Sequence, residues 1–182
     1  MLTTHLTGGA CRSERLVRDD DDRLSLLEHL RAELGPLLAY CVMDTHVHLV
    51  AEGAAAAVQP RGDAALHAYA RVFNRRHGRR GTLLRGHVET FEKRDAVELA
   101  RAIRYTHKNP LQTTPPLATR AVDFEWSSAR AFAGLARDGF VDPARARRLM
   151  GDEVGRIALA CPSLADLRPA ASPRATPDVI LA

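Results

Sequence analysis

The stretch Leu37–Glu52, LLAYCVMDTHVHLVAE, constrains the fold most. It is rich in apolar and β-branched residues and is interrupted once, at Asp44-Thr45. That pattern predicts two strands, Leu37–Met43 and His46–Glu52, joined by a tight hairpin. Side chains alternate between the two faces of a strand, so His46 and His48 project from the same face. Two imidazoles so placed can reach one divalent cation. The spacing alone leaves a merely solvated pair equally open, and a third ligand nearby is needed to decide.

Helical and strand-like segments flank the hairpin. A strand is expected at Leu2–Leu6, then a break at Gly8-Gly9 and the acidic run Asp19–Asp22. Four adjacent aspartates suit a metal, but they suit the positive end of a helix dipole better. Leu24, Leu26, Leu27, Leu30 and Leu34 then repeat at helical spacing, predicting a helix from about Asp21 to Leu34, before Gly35-Pro36. After the hairpin, a loop is expected over Gly53–Arg61 and a helix over Asp63–Arg76, burying Leu66, Tyr69, Ala70 and Phe73. A Gly/Arg-rich loop follows to Gly86, then a strand at His87–Phe91. Asp95 and Glu98 form a capping box, and Pro110 ends the helix they open at Asn109. Short helices are expected at Trp126–Ala136 and Pro143–Leu159.

The chain has 182 residues, 46% hydrophobic and 26% charged. That balance fits one soluble domain with a short appendage, and the length falls short of a full (β/α)₈ barrel of ~250 residues. The expected division is a main domain over 1–135, a helical extension over 136–161 and a Pro/Ala-rich flexible tail over 162–182. No apolar run approaches the ~20 residues of a membrane span, and the N-terminus lacks a secretory plan. Cys11, Cys41 and Cys161 make no paired framework, so the expected setting is a reducing cytoplasm without a membrane partner.

Net charge is only +4, but it is unevenly spread. Residues 71–110 hold eleven basic and four acidic side chains, a local net of +7, with Arg outnumbering Lys nine to two. Guanidinium forks match phosphate better than point charges do, so a polyanion partner is expected. Arg75, Arg76, Arg79, Arg80, Arg85, Arg101, Arg104 and Lys108 are the candidate DNA contacts.

Within the capped helix, Leu99 and Ile103 mark the apolar stripe. At ~100° per residue, Tyr105 lies about 200° from Ile103, on the opposite side. Asn109, four residues on, shares the face of Tyr105. A phenol, an amide oxygen, two imidazoles and a set of arginines suit attack on a phosphodiester. A divalent cation makes phosphorus more electrophilic, and basic groups offset the developing charge. Tyrosine as nucleophile leaves a phosphotyrosine bond that keeps the energy of the cut linkage for rejoining. His107, Tyr40 and Tyr69 are expected to pack, and Trp126 to anchor the core.

Four blocks of the chain resemble the IS200-like single-tyrosine HUH transposases, which include the REP-associated tyrosine transposases. Tyr40-Cys41-Val42-Met43-Asp44-Thr45-His46-Val47-His48-Leu49-Val50 is similar to their Y-x-x-M-P-N-H-x-H-L-L segment, and Arg104-Tyr105-Thr106-His107-Lys108-Asn109-Pro110 to R-Y-I-H-x-N-P. Asp123-Phe124-Glu125-Trp126-Ser127-Ser128 resembles D-Y-x-W-S-S, and the stretch Phe73–Gly81 resembles F-N-x-R-x-G-R-x-G. The resemblance spans roughly 1–135 and implies a ferredoxin-like α+β domain: an antiparallel sheet, helices packed on one face, and the histidine pair on a strand. It implies that His46, His48 and Asn109 bind Mg²⁺ or Mn²⁺ and that Tyr105 is the nucleophile. It implies a single-stranded DNA substrate with a hairpin beside the cut, handled by a dimer or a monomer. Asp44-Thr45 stands where the family has Pro-Asn, and Gly86-His87-Val88-Glu89 departs from its Gly-x-Phe pattern.

Two other readings stay open at this point. One is a domesticated, non-catalytic protein that holds single-stranded or hairpin DNA. The other is a small amidohydrolase-like enzyme, since Asp44-Thr45-His46-Val47-His48 also matches the D-x-H-x-H strand of those barrels.

Overall fold

The computed structural model describes residues 2–11 and 14–151. The chain runs β1 (Thr3–Gly9), α1 (Asp20–Leu34), β2 (Ala39–Val42), β3 (His46–Glu52), α2 (Ala55–Arg76), β4 (Glu89–Lys93) and α3 (Ala96–Lys108). The four strands form one sheet in the order β2-β3-β1-β4, every neighbouring pair antiparallel. A βαββαβ order with this strand arrangement is ferredoxin-like, as expected. An antiparallel sheet of this kind is not a parallel barrel, which removes the amidohydrolase-like architecture. The short helices α4 (Ala129–Phe132) and α5 (Pro143–Met150) follow. No helix among the described residues is long and apolar enough to cross a membrane.

Local chemistry accounts for most boundaries. Asp19 caps α1, its carboxylate accepting from the Asp22 amide at 3.0 Å, and Asp20–Asp22 sit in the first turn. The β2–β3 hairpin closes through Met43 N–H to His46 C=O at 2.8 Å. Asp44 in its turn has a use of its own: Arg23 donates to its carboxylate at 2.6 Å, tying the turn to α1. Asp95 caps α3 by accepting from the Glu98 amide at 2.7 Å, and α3 stops at Lys108 before a 3-10 turn, Asn109–Leu111.

Several expected boundaries move, each for a reason in the structure. β1 continues through Gly8 and Gly9 instead of breaking there. A Cβ on Gly8 would overlap Leu66 Cδ1 of α2, so the glycine lets helix and strand touch. The segment expected as a loop over Gly53–Arg61 is helical from Ala55, with Pro60 inside the helix. Alanine is the best helix former, and Glu92 of β4 supplies a cap, accepting from the Ala55 amide at 2.9 Å; together they outweigh the proline. β4 lies two residues later than expected, at Glu89–Lys93. Trp126–Ser128 are not helical, because they pair along β2: Val42 N–H meets Trp126 C=O at 2.8 Å and Ser128 N–H meets Tyr40 C=O at 3.0 Å. α5 is described to Met150; the remainder of the helix expected to Leu159, and the tail, lie outside the described residues.

The register sorts side chains into two layers. Leu6, Gly8, Val47 and Leu49 face α2, against which α1 packs. The expectation of helices on one face holds for this pair. His5, Thr7, His46, His48, Phe91 and Lys93 lie on the other face. That face is crossed by α3, which arrives from the edge strand β4 and buries Leu99, Ala100, Ala102 and Ile103.

Candidate metal and nucleophile site

The histidines and the tyrosine meet on the α3 side of the sheet. His46 and His48 have ring centroids 4.9 Å apart with planes at 88°, and Tyr105 stands edge-on to His48 at 5.4 Å. Tyr105 is 39% exposed, whereas His48 is 4% and Asn109 4% exposed. The phenol therefore fronts solvent over a buried imidazole, on the side of α3 that the helical phase predicts.

Each imidazole is oriented by a neighbour. Thr45 Oγ1 meets His46 Nδ1 at 3.0 Å. His48 Nδ1 meets Nε2 of His5 at 3.2 Å, the two rings lying parallel within 4°. The Nε2 atoms of His46 and His48 are both buried, and that of His48 has no hydrogen-bond partner among the described residues. Asn109 uses its amide nitrogen to donate to the Tyr105 carbonyl at 3.0 Å, so its oxygen is the end left for the imidazoles.

Burial, then the neighbouring His46 and His5 rings, hold His48 well below the ordinary imidazole range. A side-chain hydrogen bond from Asn109 works the other way, though among the described residues none reaches Nε2 with good geometry. His5 is lowered to about 4 by burial and by the Lys93 charge. Both rings are thus neutral at physiological pH, the form that a cation requires of an imidazole. A buried, unpartnered ring nitrogen beside a second imidazole and an amide oxygen fits a divalent ion with a mixed N/O ligand set.

His5 was not singled out by the sequence. The only signal for it is strand alternation, and that cannot say which strand lies beside β1. Conversely, His107, Tyr40 and Tyr69 pack as expected. His107 is buried, its Nε2 meets Ser128 Oγ at 2.8 Å, and its ring lies 5.1 Å from Phe132. Cys41 sits directly opposite His48 in the register, but burial pushes its thiol up, away from the thiolate a metal needs.

The basic residues divide into two sets. Arg75, Arg80, Arg85 and Arg101 are exposed, and Arg104 and Lys108 are half-buried. Arg76 and Arg79 are held by carboxylates. Arg76 binds Asp19 at 2.6 Å, Asp21 at 3.0 Å and also Asp22. Arg79 binds Glu14 at 2.5 Å and donates to Asn74 and to the Thr82 carbonyl, shaping the loop itself. Asp19, Asp22 and His77 bring ligand atoms within 4.8 Å of one another, a second grouping able to hold an ion. The Arg76 guanidinium already lies on both carboxylates and supplies positive charge there. Of the two acidic residues close to β4, Glu92 turns away to cap α2, and Glu89 is exposed.

A solved structure shares this fold. It is a REP-associated tyrosine transposase bound to a REP hairpin, with a TM-score of 0.58 over 77% of this chain and 90% of that one. Sequence identity is 11%, so the likeness is one of architecture. No family model and no curated protein matches the chain.

Proposed function

We propose that this protein is a metal-dependent, tyrosine-nucleophile DNA transesterase that cuts and rejoins one strand, as in transposition. The observation that carries the reading is a solvent-facing Tyr105 edge-on, at 5.4 Å, to an imidazole whose Nε2 is buried and, among the described residues, unpartnered. The solved structure of like fold, a tyrosine transposase on a DNA hairpin, supports it. A hairpin-bearing single strand is the substrate class.

His46, His48 and Asn109 would hold Mg²⁺ or Mn²⁺, which when bound draws charge from a phosphate oxygen and makes phosphorus more electrophilic. Tyr105 Oη attacks phosphorus and gives up its proton to solvent. The bond to the 3′-oxygen breaks, that oxygen leaves as a hydroxyl after taking a proton, and a 5′-phosphotyrosine remains. A returning 3′-hydroxyl reverses the step. Arg101, Arg104 and Lys108, on the same helix as the nucleophile, would offset phosphate charge.

The decisive measurement is the mass of the protein after incubation with Mn²⁺ and a hairpin-bearing single-stranded oligonucleotide. An adduct is expected on wild type and none on Tyr105→Phe, while both bind the DNA. Binding without any adduct would establish a protein that holds DNA and does not cut it.

A further inference from the structure

We propose that Phe91 is a stacking platform for the nucleobase next to the phosphate that Tyr105 attacks. The inference rests on the function proposed above and adds a residue and a ligand group to it. Phe91 is 49% exposed in the middle of β4, an edge strand of the sheet. It lies on the same face as the histidine pair, directly across from His5.

The rings there form a row. His48 stacks on His5 at 5.3 Å and 4°, and His5 stacks on Phe91 at 6.1 Å and 28°. Tyr105 stands edge-on to His5 at 5.6 Å and to His48 at 5.4 Å. The row thus begins at the buried imidazoles, passes beneath the nucleophile and ends on a ring that is half exposed to solvent. An extended single strand spans about 3.4 Å or more between successive bases. A phosphate at Tyr105 therefore brings a neighbouring base within reach of the next ring in the row.

The surrounding charge selects a polyanion. Lys93 Nζ lies over the Phe91 ring, 5.9 Å from its centroid. α3 begins just beyond Lys93, and its outward positions Val97, Arg101 and Tyr105 follow one another at four-residue steps. A strand laid between β4 and α3 meets Lys93 and Arg101 for its phosphates and Phe91 for a base. Glu92 belongs to the opposite face, where it caps α2. Glu89 marks the other end of β4, so charge favours a path over the Lys93 end. Stacking accepts any base, because every base has a π-face.

The experiment compares wild type, Phe91→Ala and Phe91→Trp on a thymidine oligonucleotide and on an abasic deoxyribose-phosphate chain of equal length. Phe91→Ala is expected to weaken binding of the thymidine strand about tenfold and to leave abasic binding unchanged. Phe91→Trp should retain the affinity, and its added fluorescence should be quenched by the thymidine strand only. Equal affinities of wild type and Phe91→Ala, or an equal loss on the abasic chain, would overturn the stacking role. If wild type still forms the Tyr105 adduct in that case, the transesterase reading survives alone. If wild type binds neither strand and forms no adduct with the hairpin-bearing oligonucleotide either, both fail.

Discussion

His5 does for His48 what no residue near it in sequence can do. The 3.2 Å contact between His5 Nε2 and His48 Nδ1 needs one proton between two ring nitrogens. A cation on His48 Nε2 requires that proton on His48 Nδ1, with His5 accepting. Partners of this kind fix ring orientation and tautomer, and losing one typically costs about ten- to a hundredfold in metal affinity. Mn²⁺ titration of the DNA-free protein, followed by loss of the free-ion paramagnetic signal, checks this. His5→Ala should weaken Mn²⁺ binding by that range. His5→Gln, whose side-chain carbonyl can accept, should keep more of it. Unchanged binding in both variants would leave His5 a packing residue. Neither its partner nor its role was legible in the sequence, because β1 and β3 lie 43 residues apart at this contact and register is set by packing. Tyr105 was legible, since helical phase is a local property.

At the scale of elements, α3 was the easiest to read and is the one that carries the nucleophile. Its N-cap, apolar stripe and proline stop are all encoded within its own residues. α2 was misread at its start because its cap comes from Glu92, 37 residues away on β4. The stretch Trp126–Ser128, expected to begin a helix, was misread for the same reason: its backbone partner is β2. That pairing also buries His107 against Ser128, and burial lowers His107 to about 4. Its value in the unfolded chain is near the ordinary 6.5, so the unfolded chain takes up the proton first as pH falls. The stabilising contribution is fully present above about pH 6.5 and is lost toward pH 4, with an upper size of about 3 kcal/mol at 1.36 kcal/mol per pKa unit. His5 and His48 are shifted in the same direction and add to the slope. Urea unfolding at pH 7.5 and pH 5 should show wild type losing stability at the lower pH. His107→Gln should start less stable and fall less steeply; an identical slope would contradict the assignment.

Across the whole molecule, charge has two separate duties that composition merges into one basic stretch. Arg76 and His77, at the C-terminal end of α2, grip Asp19 and Asp22 at the N-terminus of α1. With Asp22 only 1% exposed, this is a clasp between elements. Arg101 meets no carboxylate among the described residues and is exposed on the Tyr105 side of α3. The two classes should separate when DNA affinity is measured over a range of salt. A residue that neutralises one phosphate contributes about 0.7 to the slope of log affinity against log salt on single strands. Arg101→Ala should lower the slope by about that amount and leave the thermal midpoint near wild type. Arg76→Ala should do the reverse, keeping the slope while lowering the midpoint, because among the described residues the buried Asp22 carboxylate then keeps only His77 and the Arg18 amide to meet it. Arg79→Ala should follow Arg76→Ala, since Glu14 and the Thr82 carbonyl hold that guanidinium inside its own loop. Should Arg76→Ala instead flatten the salt dependence at an unchanged midpoint, the clasp would be a DNA contact after all. The acidic start of α1 would then lie along the DNA path.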